Sequence, residues 1–324
     1  MGKKVSIVIP TYNRKDLLSG CLESIGKLSY SDYEVIVVDD ASEDGTTGHL
    51  ALNFSGVRLI RNDVRKGPAY CKNQGILKSS GEFIWFLDSD SVVLNYDCLS
   101  NMVNILAREE NVGCLGGELL FEGGSYFARI DEEYRSRKVP VEGNGKNSFN
   151  MLKVRSLMSC NLISRKEILL KLGGFDTNYF YISEDTDICE RCSALGYDVI
   201  LDYSVWVLHK YSAVARKSNY YLLFRNELRC AVKNRGVLKG FLREPLRLFR
   251  NIFQAAGRHS LSDTGSSGTI NIITLSKINK ALGMLRLGFS MCFGFAGAYL
   301  WNIFFAYKTI NIDKKTNYLE STKI

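Results

Sequence analysis

The sequence predicts an α/β protein with a doubly wound, mostly parallel sheet flanked by helices. Three observations predict it. Short continuous apolar runs suit parallel strands buried on both faces. Helical apolar spacing separates those runs. The two alternate through roughly the first ninety residues. With 324 residues, 46% hydrophobic and 23% charged, the chain can bury a large core and is neither disordered, collagen-like nor coiled-coil.

VSIVIP (Val5 to Pro10) is the first such run. Thr11-Tyr12-Asn13 leads into KDLLSGCLESIGKL, where Leu17, Leu18, Cys21, Leu22 and Ile25 keep helical spacing. EVIVVDD (Glu34 to Asp40) is the second strand and VRLIRN (Val57 to Asn62) the third. GPAYCKNQGILKSSG (Gly67 to Gly81) reads as a helix with proline in its first turn. EFIWFLDSD (Glu82 to Asp90) is the fourth strand and, like the second, ends in acids. Ligands of such sheets sit beyond the carboxyl ends of the strands. Thr11/Asn13, Asp39/Asp40 and Asp88/Asp90 therefore form one polar rim.

No glycine-rich dinucleotide fingerprint or Walker lysine follows a strand, so phosphate recognition needs another positive partner. Asp88-Ser89-Asp90, two hard carboxylates at the end of an apolar strand, can hold Mg²⁺ or Mn²⁺. A second acidic cluster, Glu184-Asp185-Thr186-Asp187, opens a helix that turns Ile188, Cys192 and Leu195 inward. There the acids favour the positive helix end, and Asp185 or Thr186 can equally serve as the N-cap. Cys189 and Cys192 lack a second pair at zinc spacing and read as helix-face thiols. His209 ends the apolar run VWVLH, where a lone histidine is more often structural than a ligand.

Nine cysteines, an odd number, do not suggest a secreted disulfide framework. The apolar run before Pro10 is shorter than a signal-peptide core. The expectation is a cytoplasmic, reduced protein. Net charge is +8, yet Ala213 to Arg258 alone holds eleven Lys/Arg against two Asp/Glu. Leu238, Phe241, Leu242, Leu246, Phe249 and Phe253 recur there on one helix face. Such a helix either docks on the core or lies on an anionic membrane surface. Gly288 to Tyr307 is twenty uncharged residues, long enough to span a bilayer but diluted by Gly, Ser, Asn and Cys. Together they predict a basic, amphipathic and hydrophobic helical region over 213–324, apposed to the membrane, with frayed residues from Asn311 onward. Nucleic acid is not an expected partner, because the aromatics lie on the apolar face and not among the arginines.

The series VSIVIPTYNR, VIVVDDASEDGT, GPAYCKNQGI, FIWFLDSDSV and GGFDTNYFYISEDTDICERCSALGY resembles the family-2 glycosyltransferases, inverting nucleotide-sugar enzymes of GT-A fold. The resemblance runs from Val5 to about His209. YYLLFRNELR (Tyr220 to Arg229) is similar to a segment that follows the catalytic domain in members building surface glycans. It implies a GT-A catalytic domain over 1–212, with a nucleotide-binding half (1–100) and an acceptor half (101–212). Pro10, Thr11, Tyr12 and Asn13 would line base and ribose, and Asp40 would accept a hydrogen bond from the base. Asp88 would approach the ribose or the metal, Asp90 would coordinate Mn²⁺ or Mg²⁺, and His209 would add a metal or diphosphate contact. Asp185, of the Glu184-Asp185 pair, would be the general base. Lys72 stands where an arginine is usual and would leave a diphosphate contact that is no longer bidentate.

The residue types suit that chemistry. Transfer from a UDP- or dTDP-sugar needs the leaving diphosphate neutralised and a base for the acceptor hydroxyl. The acceptor expected is a lipid-linked sugar or polysaccharide at the inner face of the cell membrane. Two alternatives are a sugar-phosphate nucleotidyltransferase, which would want a glycine-rich basic loop after the first strand, and a silent scaffold that only binds sugar nucleotide.

Overall fold

The computed structural model describes residues 3–121, 151–210, 220–236, 296–298, 300 and 318–322. The chain divides into two compact units, Met1–Ala215 with Lys315–Ile324, and Arg216–Lys314. The first contains a nine-stranded sheet. Its strands are β1 (Val5–Thr11), β2 (Tyr33–Asp39), β3 (Val57–Arg61), β4 (Phe83–Leu87), β5 (Ser91–Val93), β6 (Val112–Phe121), β7 (Met151–Lys153), β8 (Asn161–Arg165) and β9 (Asp198–His209). The helices are α1 (Lys15–Ile25), α2 (Thr46–Asn53), α3 (Pro68–Lys78), α4 (Cys98–Arg108), α5 (Lys166–Lys171) and α6 (Glu184–Ala194). In the second unit, α7 (Tyr220–Arg235) buries Phe224 and Leu228.

The strand order is β3-β2-β1-β4-β8-β6-β9-β5, with β7 also on β9. Strands β3, β2, β1 and β4 are parallel neighbours, as the apolar runs predict. Beyond β4 the sheet is mixed, not mostly parallel. β8 runs antiparallel to both β4 and β6, and β5 and β7 run antiparallel to β9. A short apolar run records burial but not direction, so this half could not be oriented from sequence.

Alternation along the strands builds two cores. Ile7, Ile9, Val37 and Trp85 face α1 and α4, where Leu18, Leu22 and Met102 meet them. Val8, Ile36, Val38 and Phe86 face α3, α5 and α6. Helix α3 comes so close to β1 that a Cβ on Gly75 would lie 2.2 Å from Val8 Cγ1. In α6, Ile188, Cys189 and Cys192 are buried, but Leu195 is exposed, because the helix ends at Ala194. The cap is Ser183, one residue ahead of the acids, and it makes no side-chain capping bond. The eight described cysteines are buried thiols.

The chain end is not frayed throughout. Tyr318 and Leu319 are buried, and Leu319 N–H donates to Gly173 O at 3.0 Å. The Arg191 guanidinium lies 5.3 Å from the Tyr318 ring while its Nε donates to Asp187 at 2.8 Å. Two further donations, to Leu172 O and Gly174 O, lock α6 to the segment behind it. The amphipathic pattern of Leu238 to Phe253 lies outside the described residues, as does nearly all of Gly288–Tyr307. Among the described residues no helix is long and apolar enough to cross a membrane. Leu319→Ala is expected to lower folding stability by about 2 kcal/mol, measured by urea denaturation of the full chain. An unchanged midpoint would mean that the tail does not pack.

Candidate active site

The polar rim forms where β1, β2, β4 and β9 end. At the end of β1, Pro10 and Thr11 are buried, and Tyr12 is more open. Thr11 Oγ1 has no hydrogen-bond partner among the described residues. Asn13 adopts a left-handed backbone (φ 50°). Its N–H donates to Ser42 Oγ at 2.9 Å, and its Oδ1 accepts from Glu43 N–H at 2.8 Å. These two bonds tie the loops after β1 and β2 together.

The adjacent acids of β2 divide their tasks. Asp39 is fully buried and pairs with Arg61. Asp40 turns toward the loop before α3. It accepts from Asn62 Nδ2 and Lys66 N–H at 2.8 Å and from Gly67 N–H at 2.7 Å. The structure thus engages Asp40, expected at the base, as a clamp on that loop. Gly67 (φ 89°) packs against Phe180, where a Cβ would lie 2.8 Å from the ring. Arg65 lies 4.3 Å from the centroid of the Tyr12 ring and 5.3 Å from that of Phe180.

At the end of β4 the two acids of Asp88-Ser89-Asp90 differ. Asp90 is buried, and its Oδ2 pairs with Arg14. His209 Nε2 stands 3.3 Å from Asp90 Oδ1 and 3.6 Å from Asp88 Oδ2. Pairing of Ser91 with His209 across β5 and β9 brings the imidazole there. Asp88 is half-buried and converges with further donors. One ligand atom each from Asp88, Cys160 and His209 lies within 4.8 Å of the others. Burial works to raise the Asp88 pKa. The hydrogen bond from His209 and the charges of Lys72, His209 and Arg14 outweigh it, so Asp88 stays below the usual carboxylate range. Burial works to lower the pKa of His209, but Asp88 and Asp90 raise it on balance. Oxygen and imidazole donors suit a divalent cation, so the residues present fit one.

Lys72, expected at the diphosphate, is buried, 2% exposed. It donates to Ser159 Oγ and, at 3.2 Å, to Glu184 Oε1. Burial disfavours its charge, but Glu184, Asp88 and Asp185 more than restore it, so its pKa lies above the ordinary value. Glu184 is accordingly the buried counter-ion of Lys72, while its neighbour Asp185 is more open. Burial, then the charge of Glu184, pushes Asp185 up to about 6, against lowering by Lys72 and by hydrogen bonds from the Thr186 and Ser159 N–H groups. The backbone leading into α6 is strained: Phe180, Ile182 and Ser183 all have φ between 63° and 71°. Such outliers cluster at functional sites.

The two acidic corners meet through consecutive residues. Ser159 Oγ accepts from Lys72, whose other partner is Glu184 beside Asp185, and Cys160 Sγ lies beside Asp88. The Cys160 thiol is pushed well up by burial first, then by the charges of both Asp88 and Asp185. Sequence reasoning missed Ser159, Cys160 and Arg14. Strand pairing places the first two: Leu87 pairs with Asn161, which sets Cys160 opposite Asp88. The loop between β6 and β7 lies largely outside the described residues.

The chain belongs to glycosyl transferase family 2, which residues 6–173 match over more than half its length. An uncharacterized glycosyltransferase of Haemophilus influenzae is 28% identical over 178 residues, 53% of this chain and 56% of the relative. The Escherichia coli UDP-Glc:alpha-D-GlcNAc-diphosphoundecaprenol beta-1,3-glucosyltransferase WfgD is 38% identical over 89 residues, 27% of this chain and 35% of that protein. Each alignment covers less than two thirds of the relative. The mannosyltransferase PcManGT from Pyrobaculum calidifontis, solved in complex with GDP-Man and Mn²⁺, superposes with TM-score 0.56 at 20% identity over 94% of this chain and 88% of that one. At that identity the likeness speaks for the fold, a GT-A α/β sheet.

Lys72→Met leaves Glu184 charged and buried without its cation. It is expected to cost about 3–5 kcal/mol, measured by chemical denaturation near neutral pH. A loss under 1 kcal/mol would show that the pair is not buried as described.

Proposed function

We propose that the protein is an inverting glycosyltransferase. It moves a sugar from a nucleoside-diphosphate sugar, of the UDP or dTDP type, to a hydroxyl of a lipid-linked or polysaccharide acceptor. The observation that supports this reading is the junction at Ser159–Cys160: Ser159 Oγ accepts from Lys72, the partner of Glu184 beside Asp185, while Cys160 lies beside Asp88 and His209. We assign 1–212 to the catalytic domain, its first 100 residues to the nucleotide. The basic region 213–324 is assigned to the inner membrane surface. The diphosphoundecaprenol acceptor in the name of the Escherichia coli relative supports a lipid-linked acceptor. The GDP-Man and Mn²⁺ of the structural neighbour support the donor class and the ion.

Asp88, Asp90 and His209 would hold the cation, Mn²⁺ or Mg²⁺. When bound, it supplies Lewis-acid neutralisation of the leaving diphosphate. Pro10, Thr11, Tyr12 and Asn13 bind the nucleoside, with Asp40 fixing the adjoining loop. Thr11 Oγ1, buried and available for a ligand's hydrogen bond, sits where the ribose or base is expected. Asp185 takes the proton of the acceptor hydroxyl as that oxygen attacks the anomeric carbon from the face opposite the diphosphate. Lys72 stays below the cleft as the counter-ion of Glu184. It keeps a second negative charge from raising Asp185 further.

Only the carboxylate form of Asp185 accepts a proton. Turnover should therefore rise with pH through about 6 and level above it, in a pH–rate profile of nucleoside-diphosphate release with Mn²⁺ and acceptor. Asp185→Asn is expected to cut transfer by about 10²–10⁴-fold and to abolish that limb. The linkage sign sets the stability outcome. A carboxyl whose folded pKa exceeds its unfolded value favours the folded state at low pH, and that contribution is lost as pH rises through about 6. The Asn variant should then be no less stable than wild type at pH 8, by thermal melting. Near-normal transfer by this variant would remove Asp185 from the mechanism.

A further inference from the structure

We propose that Cys160 is a metal ligand, giving the cation corner a sulfur donor and a preference for thiophilic divalent ions such as Zn²⁺, Co²⁺ or Cd²⁺ over Mg²⁺. The inference rests on the cation site proposed above and adds a donor and a selectivity to it.

The geometry is specific. Asp88, Cys160 and His209 each present one donor atom within 4.8 Å of the other two, and no other such trio of His, Cys, Asp or Glu occurs among the described residues. Bonds of about 2.0–2.3 Å to nitrogen, oxygen and sulfur would set the ligands of a tetrahedral ion roughly 3.3–3.8 Å apart. Closing the trio by about an ångström therefore suffices. The donors come from three elements whose positions the sheet fixes. Asp88 follows β4, Cys160 precedes β8, and His209 ends β9. The registers Leu87 with Asn161 and Ser91 with His209 hold them facing one another.

The chemistry separates Cys160 from the other buried thiols. A cysteine among aliphatic side chains acts as a small hydrophobe. Cys98, the first residue of α4, is of that kind. Cys160 borders the same apolar cluster but also has a carboxylate and an imidazole within 4.8 Å of its sulfur, while its own burial keeps competing water away. Asp88 and His209, both only partly buried, leave an approach for the ion. Binding exchanges the S–H bond for a sulfur–metal bond and releases one proton to solvent. Thiolate favours Zn²⁺, Co²⁺ and Cd²⁺, whereas carboxylate and water alone suit Mg²⁺ and Mn²⁺.

The test uses the full chain, kept reduced with a phosphine, and titrates Co²⁺ and Cd²⁺ against Mn²⁺. Wild type should bind Co²⁺ with a thiolate-to-cobalt charge-transfer band, and Cd²⁺ should displace Mn²⁺ from it. Cys160→Ser and Cys160→Ala, each checked for folding by circular dichroism, should both lose the band. Their Cd²⁺-over-Mn²⁺ affinity ratio should fall at least about tenfold, the scale of losing a metal-site contact. A band that persists in both variants, or an unchanged ratio, would overturn the inference. Mn²⁺ binding that Asp88→Asn abolishes, without any sulfur band in wild type, would also overturn it while leaving the cation site standing. Mn²⁺ binding indifferent to Asp88→Asn would remove the site and the inference together.

Discussion

The antiparallel pairing of β8 on β4 is the constraint on which the site depends. β4 ends in Asp88, and the residues just before β8 are Ser159 and Cys160. Their register carries the peptide from one acidic corner to the other: Cys160 reaches Asp88, while the Ser159 hydroxyl accepts from Lys72, the partner of Glu184. A slip of one residue would turn the thiol and hydroxyl to the opposite face. Two apolar cores, one on each side of the sheet, hold that register.

Charge is arranged in depth around this junction. Lys72 lies lowest, paired with Glu184, and removes the cost of one buried carboxylate. Asp185 lies beside that pair, and burial and the charge of Glu184 raise its affinity for a proton. Across the junction, Asp90 pairs with Arg14, which leaves Asp88 as the more open acid. Of the neighbouring acids, Glu184 is tied to Lys72 while Asp185 is more open, and Asp90 is buried against Arg14 and His209 while Asp88 is more open. Asp39 and Asp40 are both drawn into loop bonding.

Much of the first half was legible in the sequence. The runs VSIVIP, EVIVVDD and FIWFL are strands β1, β2 and β4, each apolar enough to be buried on both faces and followed by a polar end, and VRLIRN is the partly exposed edge strand β3. The motif series pointed to the family as well. What the sequence hid was partnership across distance. Nothing local tells that Lys72 turns inward to an acid over a hundred residues away, or that Cys160 faces Asp88. Nor does NLISR reveal that β8 runs antiparallel, since direction follows from the connection and not from the residues. The polar composition after Asn311 suggested fraying, yet Tyr318 and Leu319 find a groove beside α6 that only the folded unit creates.

The most direct measurement is a crystal structure of the full chain with Mn²⁺ and a non-hydrolysable nucleoside-diphosphate sugar. The account predicts the ion between Asp88 and His209, bridging to the diphosphate, with the anomeric carbon presenting its free face to Asp185. A donor bound elsewhere, or an anomeric carbon with Asp185 on the same side as the diphosphate, would contradict it.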